Sequence, residues 1–170
     1  KTLNQHNHLW ILEWWCKMSF VATHRRNIIE RTPIGRNEIE PGDILEFRYK
    51  TSKGNDLQLV LALGSILKDK ERKLHAIKIE NISLNVFKRI LVEIGSPSLM
   101  TDKRKNKQIT KVIIDGNTDT QKQNFYNNTL RKFVKENIYR TYIDKKITGV
   151  KLVEYNFGVK QLGLKNEDLL

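Results

Sequence analysis

The chain has a single cysteine among 170 residues, Cys16, and only three prolines and nine glycines. One cysteine excludes an internal disulfide framework, which fits a reducing compartment. With Trp14, Trp15 and Met18 around it, Cys16 reads as a packed thiol rather than a nucleophile. The four histidines are His6, His8, His24 and His75. They lack metal-ligand spacing, so no metal and no cofactor is expected, and each reads as a structural or solvated ring. No glycine-rich phosphate loop, no serine nucleophile elbow and no Cys/His ligand pattern occurs. No internal repeat or low-complexity tract is present. The longest apolar stretch, residues 9–22, contains Glu13 and Lys17 and is too short to span a bilayer. It also lacks the basic flank and small-residue site of a signal peptide. No membrane partner is expected.

The chain is rich in cations. Thirty-one Lys and Arg face nineteen Asp and Glu, a net charge of +12. A field of that sign attracts nucleic acid or an acidic protein surface. The cations cluster. Lys103, Arg104, Lys105 and Lys107 stand in one short run. Arg131, Lys132, Lys135, Arg140, Lys145, Lys146 and Lys151 form a second, interleaved with Tyr139 and Tyr142. These eleven are the candidate contacts to a polyanion or acidic partner. Cations beside aromatics suit phosphates and stacked bases, and equally an acidic interface. No set of side chains suggests base reading, so any DNA contact would be through phosphates and independent of sequence. Asp43, Glu46 and Asp56 near one hairpin read as solvated turn and outward-strand residues.

All three tryptophans lie in the first fifteen residues. Trp10, Trp14 and Met18 recur at helical spacing, which predicts a short amphipathic helix with a buried aromatic face. Trp10, Trp14 and Trp15, with Arg25 and Arg26 after them, are the candidate partner-docking residues. A second reading makes Met18 the biological start. Residues 24–40 read as an extended arm, so residues 1–40 form an N-terminal aromatic segment and arm.

Pro41-Gly42 then turns the chain into strands. Leu45, Phe47 and Tyr49 alternate with Glu46, Arg48 and Lys50, the pattern of a half-buried strand over 43–50. A hairpin over 53–56 leads to a central strand over 57–63, apolar on both faces and broken by Gly64-Ser65. A charged loop over 68–73 precedes a strand over 73–80. Ser83 caps a helix that carries Val86, Phe87, Ile90, Leu91 and Ile94 and stops at Gly95. A loop follows, then a strand over 109–114, a second helix from about 119 to 138, and a last strand over 147–155. The expectation is an α+β fold: a small, mostly antiparallel SH3-like β-barrel over 41–156 with two helices and extended terminal arms. Residues 157–170 form a C-terminal tail.

Two resemblances follow. The run Pro41-Gly42-Asp43-Ile44-Leu45, a hairpin and Leu59-Val60-Leu61-Ala62-Leu63 resembles the opening of PemK-like toxin ribonucleases, which are SH3-like barrels. Those enzymes place Arg-Pro before the second strand, where this chain has Asp56-Leu57-Gln58. The resemblance implies the fold, and the departure argues against the activity, leaving at most a degenerate ribonuclease. More broadly, residues 39–155 are similar to small basic proteins of large tailed bacteriophages. The similarity runs through Pro41–Tyr49, Leu59-Val60-Leu61, Leu74–Ser83 leading into a helix, and Tyr139-Arg140-Thr141-Tyr142 before a closing strand. It implies a non-enzymatic structural component of a virion, at the head–tail connection, tail or baseplate, bound to neighbouring subunits. The alternative is a sequence-independent nucleic-acid-binding protein of the cytoplasm.

Overall fold

The computed structural model describes residues 20–68, 70–95, 97–114 and 138–158. The expected second helix, the tryptophan segment and the C-terminal tail beyond residue 158 lie outside them. Within them the fold is α+β and mostly antiparallel. A helical segment over residues 20–26 (α1) leads into β1 (Ile28–Pro33). Then come β2 (Ile44–Thr51), β3 (Gly54–Lys68), β4 (Glu71–Lys78) and helix α2 (Leu84–Ile94). The chain continues through β5 (Pro97–Asp102), β6 (Lys107–Val112), β7 (Tyr139–Ile143) and β8 (Ile147–Tyr155). A single 3-10 turn, Asp144–Lys146, joins β7 to β8. Six strands make one sheet in the order β1-β8-β2-β3-β4-β7, and β5 pairs with β6 as a separate hairpin.

The sheet coils. Tyr142 of β7 meets Phe47 and Tyr49 of β2 edge to face, with ring centroids 5.0 Å apart in both pairs. The Ile143 amide donates to the Tyr49 hydroxyl at 3.1 Å. Two strands separate β2 from β7, so a flat sheet would hold them about 14 Å apart. The concave face buries Leu45, Phe47, Val60, Leu74, Tyr142 and Leu152. The convex face buries Ile44, Leu59, Leu61, Ile77 and Val153 beneath Phe87, Ile90 and Leu91 of α2. Among the described residues β1 and β7 do not pair, so hydrogen bonding does not close the sheet into a barrel.

Several elements differ from the sequence expectation. The expected arm over 24–40 contains β1, which pairs with β8 through most of its length. His24, at the end of α1, is fully buried. Its Nε2 donates to the Ile82 carbonyl at 2.8 Å, and its Nδ1 accepts from the Tyr155 hydroxyl at 2.9 Å. Gly64 does not break β3. With φ of +148° it sits at a register shift, and β3 runs on to Lys68. The expected charged loop over 68–73 is a tight turn, because β4 begins at Glu71. β8 is flanked by β1 and β2 instead of closing an edge. The predicted α2 forms as read: Ser83 Oγ accepts from the Val86 amide at 3.2 Å, and the Gly95 amide bonds to the Leu91 carbonyl.

Candidate functional site

The run Lys103–Lys107 is the turn of the β5–β6 hairpin, and its cations divide. Arg104 points inward and uses all five of its N–H groups. Nη1 donates to Asp43 Oδ2 at 2.7 Å and to the Glu38 carbonyl at 2.9 Å. Nη2 donates to Asp43 Oδ1 at 2.9 Å and Asp102 Oδ2 at 2.6 Å, and Nε donates to Asp102 Oδ1 at 3.2 Å. A guanidinium has no further donors. The Lys105 side chain is 2 % exposed, with Nζ 3.5 Å from Glu154. Lys107 bonds Glu30 at 2.8 Å and Glu154 at 3.1 Å. Within this run of candidate contacts, the charges of Arg104 and Lys105 are held by internal carboxylates. Lys103 is exposed at the turn.

The sequence expectation places Asp43, Glu46 and Asp56 in solvent. Asp43 is instead 1 % exposed. It also accepts from the Glu40 amide at 2.7 Å and lies 3.2 Å from Lys111. Glu46 is buried and paired with Arg31 at 3.0 Å. Only Asp56 of the three stays exposed. The Arg104 guanidinium holds Asp102 below the usual carboxylate range, and hydrogen bonds from Lys107 and Lys111 do the same for Glu30 and Glu40. The network fastens the hairpin to β1, β8 and the turn before β2. Sequence reasoning missed it because partners such as Asp43 and Arg104, 61 residues apart, carry no local signature.

A second buried pair lies at the far end of β4. Lys78 Nζ is 3.7 Å from Glu80 Oε1, and both side chains are largely covered. Burial lowers Lys78 and raises Glu80, each against the attraction of the other. Nearby, the Tyr142 hydroxyl donates to Gln58 Oε1 at 3.0 Å. Tyr142 is itself buried in the core.

The remaining predicted cations face solvent. Arg140 on β7, Lys145 and Lys146 on the 3-10 turn, and Lys151 on β8 are all exposed. They lie on one stretch of sequence, from β7 through the turn into β8. Arg25 and Arg26 are exposed at the end of α1. Arg131, Lys132, Lys135, Trp10, Trp14 and Trp15 lie outside the described residues. A shallow groove of about 440 Å³ opens beside the turn, lined by Pro33, Ile34, Arg36, Lys145 and residues 147–150. Arg36 Nη1 donates to the Asp144 carbonyl at 2.8 Å across its rim.

No family model, curated protein or solved structure matches this chain. The chemistry of the site therefore has to be argued from its own side chains. Among the described residues no group of three or more His, Cys, Asp or Glu could hold a metal ion. No helix among them is long and apolar enough to cross a membrane. What the arrangement offers is a hairpin whose cations Arg104 and Lys105 are ion-paired inward, and exposed cations on β7, the 3-10 turn and β8. Exposed cations can hold carboxylates or phosphates electrostatically.

Proposed function

We propose that the chain is a non-enzymatic structural component of a large assembly, a bacteriophage virion in the reading that its strand succession suggests. In this reading the coiled sheet acts as an SH3-like barrel, and its exposed cations grip acidic faces of neighbouring subunits. One observation carries the proposal. The buried cations Arg104 and Lys105 serve the hairpin, while Arg140, Lys145, Lys146 and Lys151 stay exposed on β7, the 3-10 turn and β8. A charge divided in this way stiffens a body and equips it to attach.

Mass spectrometry of purified particles tests the assignment directly. The expected result is this chain at fixed copy number, cross-linked through Lys145 or Lys146 to acidic stretches of another subunit. Its absence from particles overturns the virion role. Titration of labelled duplex and single strands, from about 50 to 200 mM salt, tests the rival class. Micromolar binding with a steep salt slope transfers the function to nucleic-acid binding. An RNA-cleavage assay completes the set: turnover abolished by one substitution would make the protein an enzyme.

A further inference from the structure

Strand β8 outruns β1. The β1–β8 ladder ends at the pair Pro33–Lys151, although β8 begins at Ile147. One further bond, from the Ile34 amide to the Val150 carbonyl at 3.1 Å, is the last on that side. On its other side β8 stays paired with β2 down to Ile147. The first residues of β8 thus form a short strand edge with no strand beside it among the described residues. The groove lies along this edge. Gly149 has φ of +63°, and a Cβ built there would meet nothing within 4 Å.

A free strand edge is a template for another strand, and its flanking side chains decide which one. Lys145, with a side chain 78 % exposed, stands at one end of the groove, and Arg36 stands across it. Both retain exposed donors, although Arg36 lies 3.9 Å from Asp144 and Lys145 lies 4.0 Å from Glu71. The rest of the lining is Pro33, Ile34, Thr148 and Gly149, with Ile147 and Val150 buried in the core beneath. None of the lining residues is aromatic, so the groove lacks the stacking surface that single-stranded nucleic acid uses.

We infer that the groove beside residues 147–150 takes an acidic, extended segment of a neighbouring subunit as a short added strand. Main-chain bonds to β8 set its path, and its carboxylates meet Arg36 and Lys145. The inference rests on the attachment role proposed above and names the chemistry of the partner.

The test uses the full chain, labelled with ¹⁵N. The probe is an acetylated heptapeptide of alternating Glu and Val. Its controls are a Lys/Val twin, two twins N-methylated on alternate amides in either phase, and oligothymidylate of equal charge. The expected result is saturable shifts at the Thr148, Gly149 and Val150 amides with the acidic peptide and none with the Lys twin. At least one N-methylated twin loses binding. Arg36→Glu combined with Lys145→Glu weakens it by roughly tenfold, the effect of two exposed ion pairs. An unchanged spectrum away from the groove verifies folding. Shifts confined to other regions, equal binding by both methylated twins, or tighter binding of oligothymidylate at these amides would each overturn the inference. Particles that retain the chain while the wild type ignores the acidic peptide sink the groove alone. Absence of the chain from particles sinks the attachment role instead.

Discussion

Arg104 grips Asp43 with both terminal guanidinium nitrogens, at 2.7 and 2.9 Å, across 61 residues of sequence. The pair joins the tip of the β5–β6 hairpin to the turn that starts β2. Removing Arg104 leaves Asp43 and Asp102 covered and short of donors. Breaking one side of a buried pair costs about 3 kcal/mol or more. Arg104→Ala should lower the urea midpoint accordingly. Arg104→Lys should recover little, because an ammonium cannot reproduce the planar fork. A change within experimental error for Arg104→Ala would show that Lys111 suffices to hold Asp43.

The same turn gives a steric prediction. Gly42 has φ of +91°, and a Cβ added there would lie 1.9 Å from the Val112 carbonyl oxygen of β6. Gly42→Ala therefore forces the hairpin away from the sheet, in addition to straining the backbone. The expected loss is about 2 kcal/mol or more. Hydrogen exchange should show it first at the β6 amides, and protection equal to wild type there would contradict the close approach.

Acid stability should report on His24 and His75. Burial lowers both below the ordinary histidine value, with Lys73 adding to the effect at His75. A histidine depressed in the folded state stabilises the fold above its unfolded value and loses that contribution as pH falls through the folded value. Stability should therefore fall as pH drops below about 6.5. His24→Gln should flatten part of that slope, and a further change at His75 should flatten the rest. A wild-type profile level from pH 7 to 5 would count against the burial of both rings.

Lys78 and Glu80 should be coupled. Lys78→Met strands a buried carboxylate, whereas Lys78→Met with Glu80→Gln removes both charges. The double variant should be more stable than the first single, with a coupling of about 1–3 kcal/mol in a double-mutant cycle. Additive losses would mean that solvent already screens the pair.

Local pattern made several elements readable. Ser83 and Gly95 mark the two ends of α2, and Val86, Phe87, Ile90 and Leu91 mark its buried face, because capping and helical periodicity act within a few residues. The apolar run 57–63 announces a strand covered on both sides, and Leu59 and Val60 do lie in the two separate cores. β8 was legible from Ile147 to Tyr155. Gly64 misled, because a glycine at a bulge and a glycine that ends a strand look alike in sequence. Residues 28–33 were read as an arm because β1 is mostly exposed and short of apolar alternation. The cationic runs were legible in the sequence, but not which members are exposed, as Lys145, Lys146 and Lys151 are, and which turn inward, as Arg104 and Lys105 do.

By composition and pattern alone, the chain established a cationic, disulfide-free α+β protein with antiparallel strands and a capped helix. These properties depend on residue counts and on neighbours a few positions apart. Which cations are spent and which are free was decided only when the sheet coiled. Folding brought Asp43 and Asp102 around Arg104, and left β8 longer than its neighbour beside Lys145. A charge has no fixed role until its distance to an opposite charge is set, and that distance is a property of the tertiary structure.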